Sequence, residues 1–254
     1  MPTYRIEGII IKRTDFSEAD RILTVFTKDR GKISVLAKGV KKITSKKAGH
    51  IDLLNHSLMV VAEGRNLHIL TEAETVDPFR GIKEDLDKSG LGYYIAEFIN
   101  EFVAEGQTNY SLFRLILMAL SYLDGAEDDR GSLLVRAFEL KALGELGFAP
   151  EMRCCVHCGG PLSWGGGNGF SPSLGGVVCG QCIADGFPAG KAVLEVLRGL
   201  AEESWHKINR MKLERGEREK AGELLRMYVE YLLEKRLKST ELLEKLRSAS
   251  FASG

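Results

Sequence analysis

The sequence predicts a multidomain α+β chain with a small N-terminal β-barrel, a following helical domain and a cysteine-rich module within the helices. Three observations support this fold class. Short β-branched runs dominate the N-terminal part, the apolar spacing changes from two to about 3.6 residues after Asp77-Pro78, and all five cysteines fall in one short segment. The predicted domains are 1–78 for the barrel and 79–254 for the helices, interrupted by the module at 151–186.

Five runs rich in β-branched and aromatic residues predict the strands of the barrel. They lie at 5–13, 21–27, 33–37, 56–63 and 67–75. Gly64-Arg65-Asn66 provides a hairpin turn between the last two runs. Because these five strands are short and closely spaced, they favour a small barrel.

Apolar residues at helical spacing predict the helices of the second domain. A stripe over 91–103 predicts the first helix, and Asn109 or Ser111 caps a second over 112–123. This second helix is apolar nearly all round, so it is expected to be central and buried. Asp129 begins another helix that ends near Gly147, and the helical pattern returns at 192–200 and 224–232.

Charge is unevenly distributed, although the formal net charge is +0. Residues 1–50 carry 12 Lys and Arg against 5 Asp and Glu, a net of +7, whereas residues 51–150 carry 8 against 17, a net of −9. A polyanion senses local charge within roughly 8–10 Å. Five of the lysines lie in a glycine-containing stretch at 37–50, which predicts a long mobile loop.

This basic N-terminal unit predicts a groove that follows a sugar-phosphate backbone, because each neutralised phosphate releases condensed counterions. The candidate DNA-binding residues are Lys12, Arg13, Arg21, Lys32, Lys38, Lys41, Lys42, Lys46 and Lys47. Tyr4, Phe16 and Phe26 could stack on bases, although core packing is the expected role of each. The alternative that stays open is a solvated lysine-rich loop without a ligand.

Two Cys-x-x-Cys pairs predict one structural zinc ion. Cys155 and Cys158 form the first pair, and Cys179 and Cys182 form the second. Each turn brings two thiolates to one side of a tight loop, so the two pairs close a tetrahedral shell of sulfurs about 2.3 Å from the ion. Four thiolates leave no open position for water or substrate, which favours a structural over a catalytic ion. Cys154 is an alternative to Cys155 as the first ligand.

Other uses of the cysteines and glycines fit the sequence less well. A zinc deaminase requires a Pro-Cys-x-x-Cys segment, which the sequence lacks, and a thioredoxin-like centre requires a single pair beside a βαβ unit. The glycines match neither G-x-G-x-x-G nor a P-loop. Free buried cysteines are the remaining alternative to zinc.

These segments, taken in order, resemble the RecO family of bacterial recombination mediators. The resemblance rests on GIIIKRTDFSEADRILTVFTKDRGKISVLAKGVKK, the helical run after Asp77-Pro78-Phe79, CVHCG…FSPSLGGVVCGQC, and RLKS at 236–239. It implies an N-terminal OB-fold followed by a helical domain with a zinc insertion. It also implies binding of single- and double-stranded DNA, annealing of complementary strands, and help in loading RecA onto strands covered by single-strand-binding protein.

The implied protein partners are RecR and the acidic C-terminal tail of single-strand-binding protein. The family's basic residues around the AKG segment match Lys38, Lys41 and Lys42, and Arg21 occupies the EADR turn. The pocket for the acidic tail is not assigned to positions. The basic candidates for it in the helical domain are Arg114, Arg130 and Arg136.

The expected function is therefore non-enzymatic. The expected location is the cytoplasm, in association with the nucleoid and without a membrane partner, because the N-terminus has neither a basic leader nor a sustained apolar core. Two alternatives stay open. One is a metal-dependent nuclease that uses Glu127, Asp128 and Asp129 with magnesium, and the other is an RNA-binding zinc protein of translation.

Overall fold

A computed structural model describes residues 2–64, 67–127, 130–163, 167–183 and 186–244. The chain divides into two compact units, one formed by Met1–Gly125 with Leu237–Gly254 and the other by Ala126–Arg236. The barrel and the helices that directly follow it therefore belong to one unit. The predicted domain boundary between residues 78 and 79 stays a prediction.

Five strands of the first unit close into a barrel, which confirms the predicted fold class. They are β1 (Thr3–Asp15), β2 (Arg21–Thr27), β3 (Gly31–Ala37), β4 (His56–Ala62) and β5 (His68–Asp77). Their order is β1-β2-β3-β5-β4, with β4 pairing back onto β1. Only the β3–β5 pair is parallel among these strands. This five-stranded barrel is an OB-fold. Within the predicted hairpin turn, Arg65 and Asn66 lie outside the described residues.

Three helices follow the barrel in the same unit, namely α1 (Arg80–Glu84), α2 (Leu86–Phe102) and α3 (Tyr110–Asp124). Asn109 is the cap of α3, since its side-chain oxygen accepts a hydrogen bond from the Leu112 backbone N–H at 2.8 Å. The expectation that α3 is central and buried holds for one side of the helix only. Leu112 and Ile116 are buried, but Met118 is 41% exposed, because one side of the helix faces solvent.

The barrel core is built from alternating strand residues. Along β3, buried and half-buried positions alternate over the whole strand, as the period of two requires. Phe26 on β2 is fully buried, and its ring centroid lies 6.4 Å from that of Phe113 on α3. Phe26 is therefore a core residue that joins the barrel to a helix, and it is not available for base stacking.

The segment after Arg236 returns to the first unit. The Glu97 carboxylate on α2 accepts hydrogen bonds from the backbone N–H groups of Lys238 and Ser239, and from the Ser239 hydroxyl. These residues begin a helical segment that is described over 238–244. A carboxylate at this position satisfies backbone donors that the helix itself leaves without partners.

The second unit combines helices with a short three-stranded sheet. The helices are α4 (Arg130–Glu145), α5 (Lys191–Glu202), α6 (Trp205–Ile208) and α7 (Arg215–Leu233). The strands β6 (Gly169–Ser171), β7 (Gly176–Val178) and β8 (Phe187–Pro188) form a sheet in the order β7-β6-β8. The cysteine-rich module is part of this unit. Asp129, the predicted start of α4, lies outside the described residues.

Gly31, at the start of β3, occupies a position that only glycine fits. Its φ of 66° lies in the left-handed region, and a Cβ there would collide with the Gln107 backbone. Gly31→Ala is expected to lower the free energy of unfolding by about 1–3 kcal/mol or more, which urea denaturation would measure. Gly49→Ala is the matched control, since no atom outside its own stretch of backbone lies within 4 Å of its Cβ position. Equal denaturation midpoints for the two variants would contradict this role of Gly31.

Candidate nucleic-acid surface and metal centre

The basic loop, residues 38–47, begins directly after β3 and is bonded to the turn between β1 and β2. The Gly39 N–H donates to Asp20 Oδ1 at 2.8 Å, and the Lys41 N–H donates to the Ala19 carbonyl at 3.0 Å. Gly39 has a φ of 68°, which explains the glycine in the AKG segment. The first part of the loop is therefore held against the β1–β2 turn.

Asp15 joins two of the predicted DNA-binding cations. Its carboxylate lies 2.8 Å from Arg21 Nε and 3.0 Å from Lys41 Nζ. The hydrogen bonds from Arg21 and Lys41 hold the pKa of the Asp15 carboxyl below its usual range. Arg21 thus lies beside the basic loop, of which Lys41 is a part, and each of the two already has a carboxylate partner.

The far end of the basic loop is attached to β5. Lys47 Nζ donates to the Leu70 carbonyl at 3.1 Å. A single 3₁₀ turn, Ala48–Ile51, follows, and its His50 Nδ1 accepts a hydrogen bond from the Thr75 N–H at 3.2 Å. Both ends of the loop are therefore bonded to barrel strands or to the turn between them.

Three lysines of this loop point into solvent. Lys38, Lys42 and Lys46, called the outer lysines below, are exposed and form no side-chain hydrogen bond or ion pair with any residue that the structure describes. Ammonium groups without a carboxylate partner are the ones that can neutralise phosphates without first breaking an ion pair. The outer lysines are therefore the strongest candidates for phosphate contact.

Lys12 and Lys32 lie beside helix α2 and not on the basic loop. Lys12 lines a groove of about 370 Å³ together with Glu97 and Glu101. Lys32 Nζ donates to the Asn100 carbonyl at 2.6 Å, and burial lowers the pKa of its ammonium group. Carboxylates of α2 in this groove oppose the approach of a phosphate.

Arg13 is also engaged within the fold. Its guanidinium lies 2.5 Å from Asp52 Oδ1, and the other oxygen of Asp52 is 3.5 Å from Lys83 Nζ. This arrangement links β1 to helix α1 through one carboxylate. The sequence could not distinguish Arg13 from the outer lysines, because Asp52 lies far away along the chain.

Of the aromatic side chains considered for stacking, Phe16 alone is largely exposed. Its exposed fraction is 58%, whereas Phe26 is fully buried. The Tyr4 hydroxyl lies 2.8 Å from His68 Nδ1, and the Arg30 guanidinium lies 4.0 Å from the centroid of the Tyr4 ring. Tyr4 is therefore already covered on one face.

The four predicted zinc ligands come together in the second unit. The sulfur atoms of Cys155, Cys158, Cys179 and Cys182 all lie within 4.8 Å of one another. The Cys158 and Cys179 sulfurs are 3.9 Å apart, close to the separation of about 3.8 Å that tetrahedral zinc–sulfur bonds of about 2.3 Å require. The donor set and its spacing fit one zinc ion. The cluster contains Cys155 and not Cys154.

Local hydrogen bonds shape the two cysteine turns. The Cys155 carbonyl accepts from the Gly159 N–H at 2.8 Å, and the Cys179 carbonyl accepts from the Cys182 N–H at 2.9 Å. Gly159 has a φ of 69°, which permits the tight return of the chain after Cys158. Cys179 directly follows β7, so the small sheet positions the second turn against the first.

The environment of Cys155 favours a thiolate. Its burial acts to raise the pKa, but the backbone N–H groups of Cys158, Cys179 and His157 donate toward its sulfur and hold the pKa at about 6. In contrast, hydrogen bonding with the Cys179 thiol, together with burial, raises the pKa of Cys182 to about 12. A divalent cation would neutralise the thiolates, so metal binding and loss of thiol protons are coupled.

The module also has apolar packing that its glycine content does not suggest. Phe170, Val177 and Val178 are buried, and the Phe170 ring meets the Tyr228 ring of α7 edge to face with centroids 5.5 Å apart. The Tyr228 hydroxyl donates to the Phe148 carbonyl at 3.0 Å. The small sheet is thus attached to a helix as well as to the cysteine cluster.

Within the described ranges, the four thiols are the one group of three or more His, Cys, Asp or Glu side chains close enough together to hold a metal ion. Glu127 is exposed, but Asp128 and Asp129, the other members of the acidic triplet, lie outside those ranges. The triplet therefore gains no support as a magnesium site.

The three arginines considered for the acidic tail differ in their surroundings. Arg136 lies 2.6 Å from the fully buried carboxylate of Glu139, and the Arg130 guanidinium donates to the Asn209 carbonyl. Arg114 is exposed on α3.

Across the residues with described positions, no helix has the length and apolar character needed to cross a bilayer.

Comparisons with known proteins agree with this architecture. Residues 1–79 match the family model "Recombination protein O N terminal", and residues 83–241 match "Recombination protein O C terminal". Several curated relatives are named DNA repair protein RecO. The protein from Pelotomaculum thermopropionicum is 35% identical over 257 residues, covering 100% of this chain and 98% of the relative.

Two further relatives carry the same name. The protein from Symbiobacterium thermophilum is 35% identical and covers 98% of this chain and 100% of its own length. The protein from a Roseiflexus species is 36% identical and covers 96% of this chain and 86% of its own length. Both halves of the chain match the family models, and the relatives align almost from end to end. The chain therefore belongs to the RecO family.

Proposed function

We propose that this chain is a recombination mediator of DNA repair that binds single- and double-stranded DNA and anneals complementary strands. With RecR, it would help to load RecA onto strands coated by single-strand-binding protein. The observation that carries the proposal is the set of outer lysines, Lys38, Lys42 and Lys46, on an OB-fold barrel of a RecO chain. The names of the relatives, which describe DNA repair proteins, support DNA as the polyanion.

The proposed mechanism is electrostatic. The outer lysines neutralise phosphates of a bound strand and release its counterions. A second strand then meets less repulsion, and base pairing supplies the free energy of annealing. Because lysine–phosphate contacts carry no base information, sequence preference should be slight.

We further propose that Cys155, Cys158, Cys179 and Cys182 hold one structural zinc ion. The ion would join the two cysteine turns across the small sheet and so stabilise the second unit. The proposed protein partners are RecR and the acidic tail of single-strand-binding protein, and the site of action is the nucleoid. No side chain is assigned a catalytic role.

The test is annealing of two complementary labelled oligonucleotides by the purified, zinc-loaded chain. The expected result is an annealing rate at least about tenfold above the protein-free rate at low salt, falling as salt is added, because phosphate neutralisation is screened. Both strands should remain intact after incubation with magnesium, and RNA should compete no better than single-stranded DNA.

Three outcomes would reject the proposal. Cleavage of the strands on addition of magnesium would favour the nuclease. Strong preference for RNA would favour a role in translation. An annealing rate equal to the protein-free rate would remove the proposed activity altogether.

A further inference from the structure

We propose that Phe16 and Ile43 contact the unpaired bases of a single strand whose phosphates lie on the outer lysines. This inference rests on the proposed DNA binding and adds to it a contact that a single strand can make and a duplex cannot. Phe16 is 58% exposed, and Ile43, at 105%, is the most exposed large apolar side chain among the described residues.

Exposure alone would not indicate a site, because isolated apolar side chains are common on protein surfaces. The argument comes from where these two side chains lie. Ile43 directly follows Lys42 and precedes Lys46 by three residues, at the middle of the basic loop. A fully exposed isoleucine between cations is suited to a ligand that carries both negative charge and apolar faces.

Phe16 lies in the turn to which the basic loop is bonded. The Phe16 N–H donates to the Asp20 carbonyl at 3.1 Å, and the Asp20 side chain accepts from the Gly39 N–H at 2.8 Å. Lys41 reaches back to the same turn, where its Nζ lies 3.4 Å from the Ser17 carbonyl. The turn that carries Phe16 is therefore bonded to the first part of the loop, and Ile43 lies two residues beyond Lys41.

Single-stranded DNA is the ligand whose chemistry matches this surface. It exposes base faces alongside phosphates, and bases stack on aromatic rings with little regard to sequence. In a duplex the base faces are covered by stacking and pairing, so the outer lysines would still bind it but the apolar contact would be lost.

The test compares the wild-type chain with the double variant Phe16→Ala, Ile43→Ala on three probes. The probes are a 20-nucleotide oligo-dT, an abasic strand with the same number of phosphates, and a 20-base-pair duplex. The double variant should bind oligo-dT about 5- to 150-fold more weakly than the wild type, the range measured for loss of one stacked base. Its affinities for the abasic strand and the duplex should be unchanged. For the double variant, the slope of log affinity against log salt concentration should also equal that of the wild type, because no phosphate contact is removed.

Leu86→Ala is the matched control, since Leu86 is an apolar residue on α2 with an exposed fraction of 69%. It should leave all three affinities unchanged. Thermal melts of both variants should equal that of the wild type, because the substituted side chains are exposed.

The results separate this inference from the proposed function. If the wild type binds oligo-dT but the double variant binds it equally well, base contact by Phe16 and Ile43 is rejected while the outer lysines stand. An equal loss of affinity for all three probes would also reject base contact, because it would mean that the substitutions had altered the conformation of the loop. If the wild type binds none of the probes, the proposed DNA binding has failed first.

Discussion

Changing Lys38, Lys42 and Lys46 to Glu is expected to lower the affinity for single-stranded DNA by on the order of 100-fold or more at about 0.1 M salt. Each neutralised phosphate of a single strand contributes about 0.7 to the slope of log affinity against log salt, so three contribute about 2. That slope corresponds to about 100-fold between 1 M and 0.1 M salt, and the added carboxylates repel phosphates further. Fluorescence anisotropy of a labelled oligo-dT would measure the loss.

The choice of these three lysines follows from their surroundings. Lys41 is excluded because its Nζ lies 3.0 Å from Asp15, so a glutamate there would place two carboxylates together and disturb the loop. The outer lysines form no ion pair with described residues, so their replacement should leave the thermal melt of the protein unchanged.

The matched control reverses the charge of three basic side chains outside the basic loop. Arg80, Arg210 and Lys212 are exposed, and their replacement by Glu changes the net charge by the same amount. This control should lose far less affinity. If the two triple variants lose affinity equally, binding follows total charge and not the loop. If the loop variant binds like the wild type, the outer lysines do not form the site.

Replacing Cys158 and Cys179 by Ser is expected to abolish zinc binding and destabilise the second unit. Zinc-finger peptides gain an apparent 10–16 kcal/mol from zinc, but the buried Phe170 gives this module apolar packing of its own. If the free energy of unfolding falls by about 4 kcal/mol, the melting temperature of a chain of this size should fall by about 8–16 °C. Elemental analysis should find one zinc ion per wild-type chain and none in the variant, and calorimetry would record the melt.

Cys154→Ser provides the control for the metal site. Cys154 lies beside the cluster in sequence but is not among the four converging sulfurs, so this variant should keep one zinc ion and the wild-type melt. Loss of zinc in this variant, or its retention after replacement of both Cys158 and Cys179, would contradict the assigned ligands. In folded variants of either kind, DNA affinity should change little.

Local patterns predicted the strands well. Strand β2 was predicted at its observed bounds, and the other strands within about two residues, because alternating burial and turn residues are visible in short windows. The spacing of the cysteines predicted their convergence for a similar reason, since each pair is held by one turn. Cys154 and Cys155 could not be separated this way, because neighbouring cysteines look equivalent until the orientation of the turn is known.

The sequence could not show which cations are already engaged. Asp15 and Lys41 are 26 residues apart, and Lys32 and Asn100 are 68 apart, so their contacts depend on how the barrel closes and on where α2 packs. The sequence did not show which side of α3 packs against the core, because an apolar stretch does not reveal that Met118 faces away from it. The attachment of residues 238 and 239 to Glu97 likewise depends on a chain reversal that has no local signal.

The salt dependence of oligo-dT binding tests the central claim most directly. If about six phosphates are neutralised, three of them by the outer lysines, log affinity of the wild type should fall with log salt at a slope of about −4, and the slope of the Lys38, Lys42 and Lys46 variant should be shallower by about 2. A wild-type slope near zero, or the same slope in both proteins, would contradict phosphate binding by the basic loop.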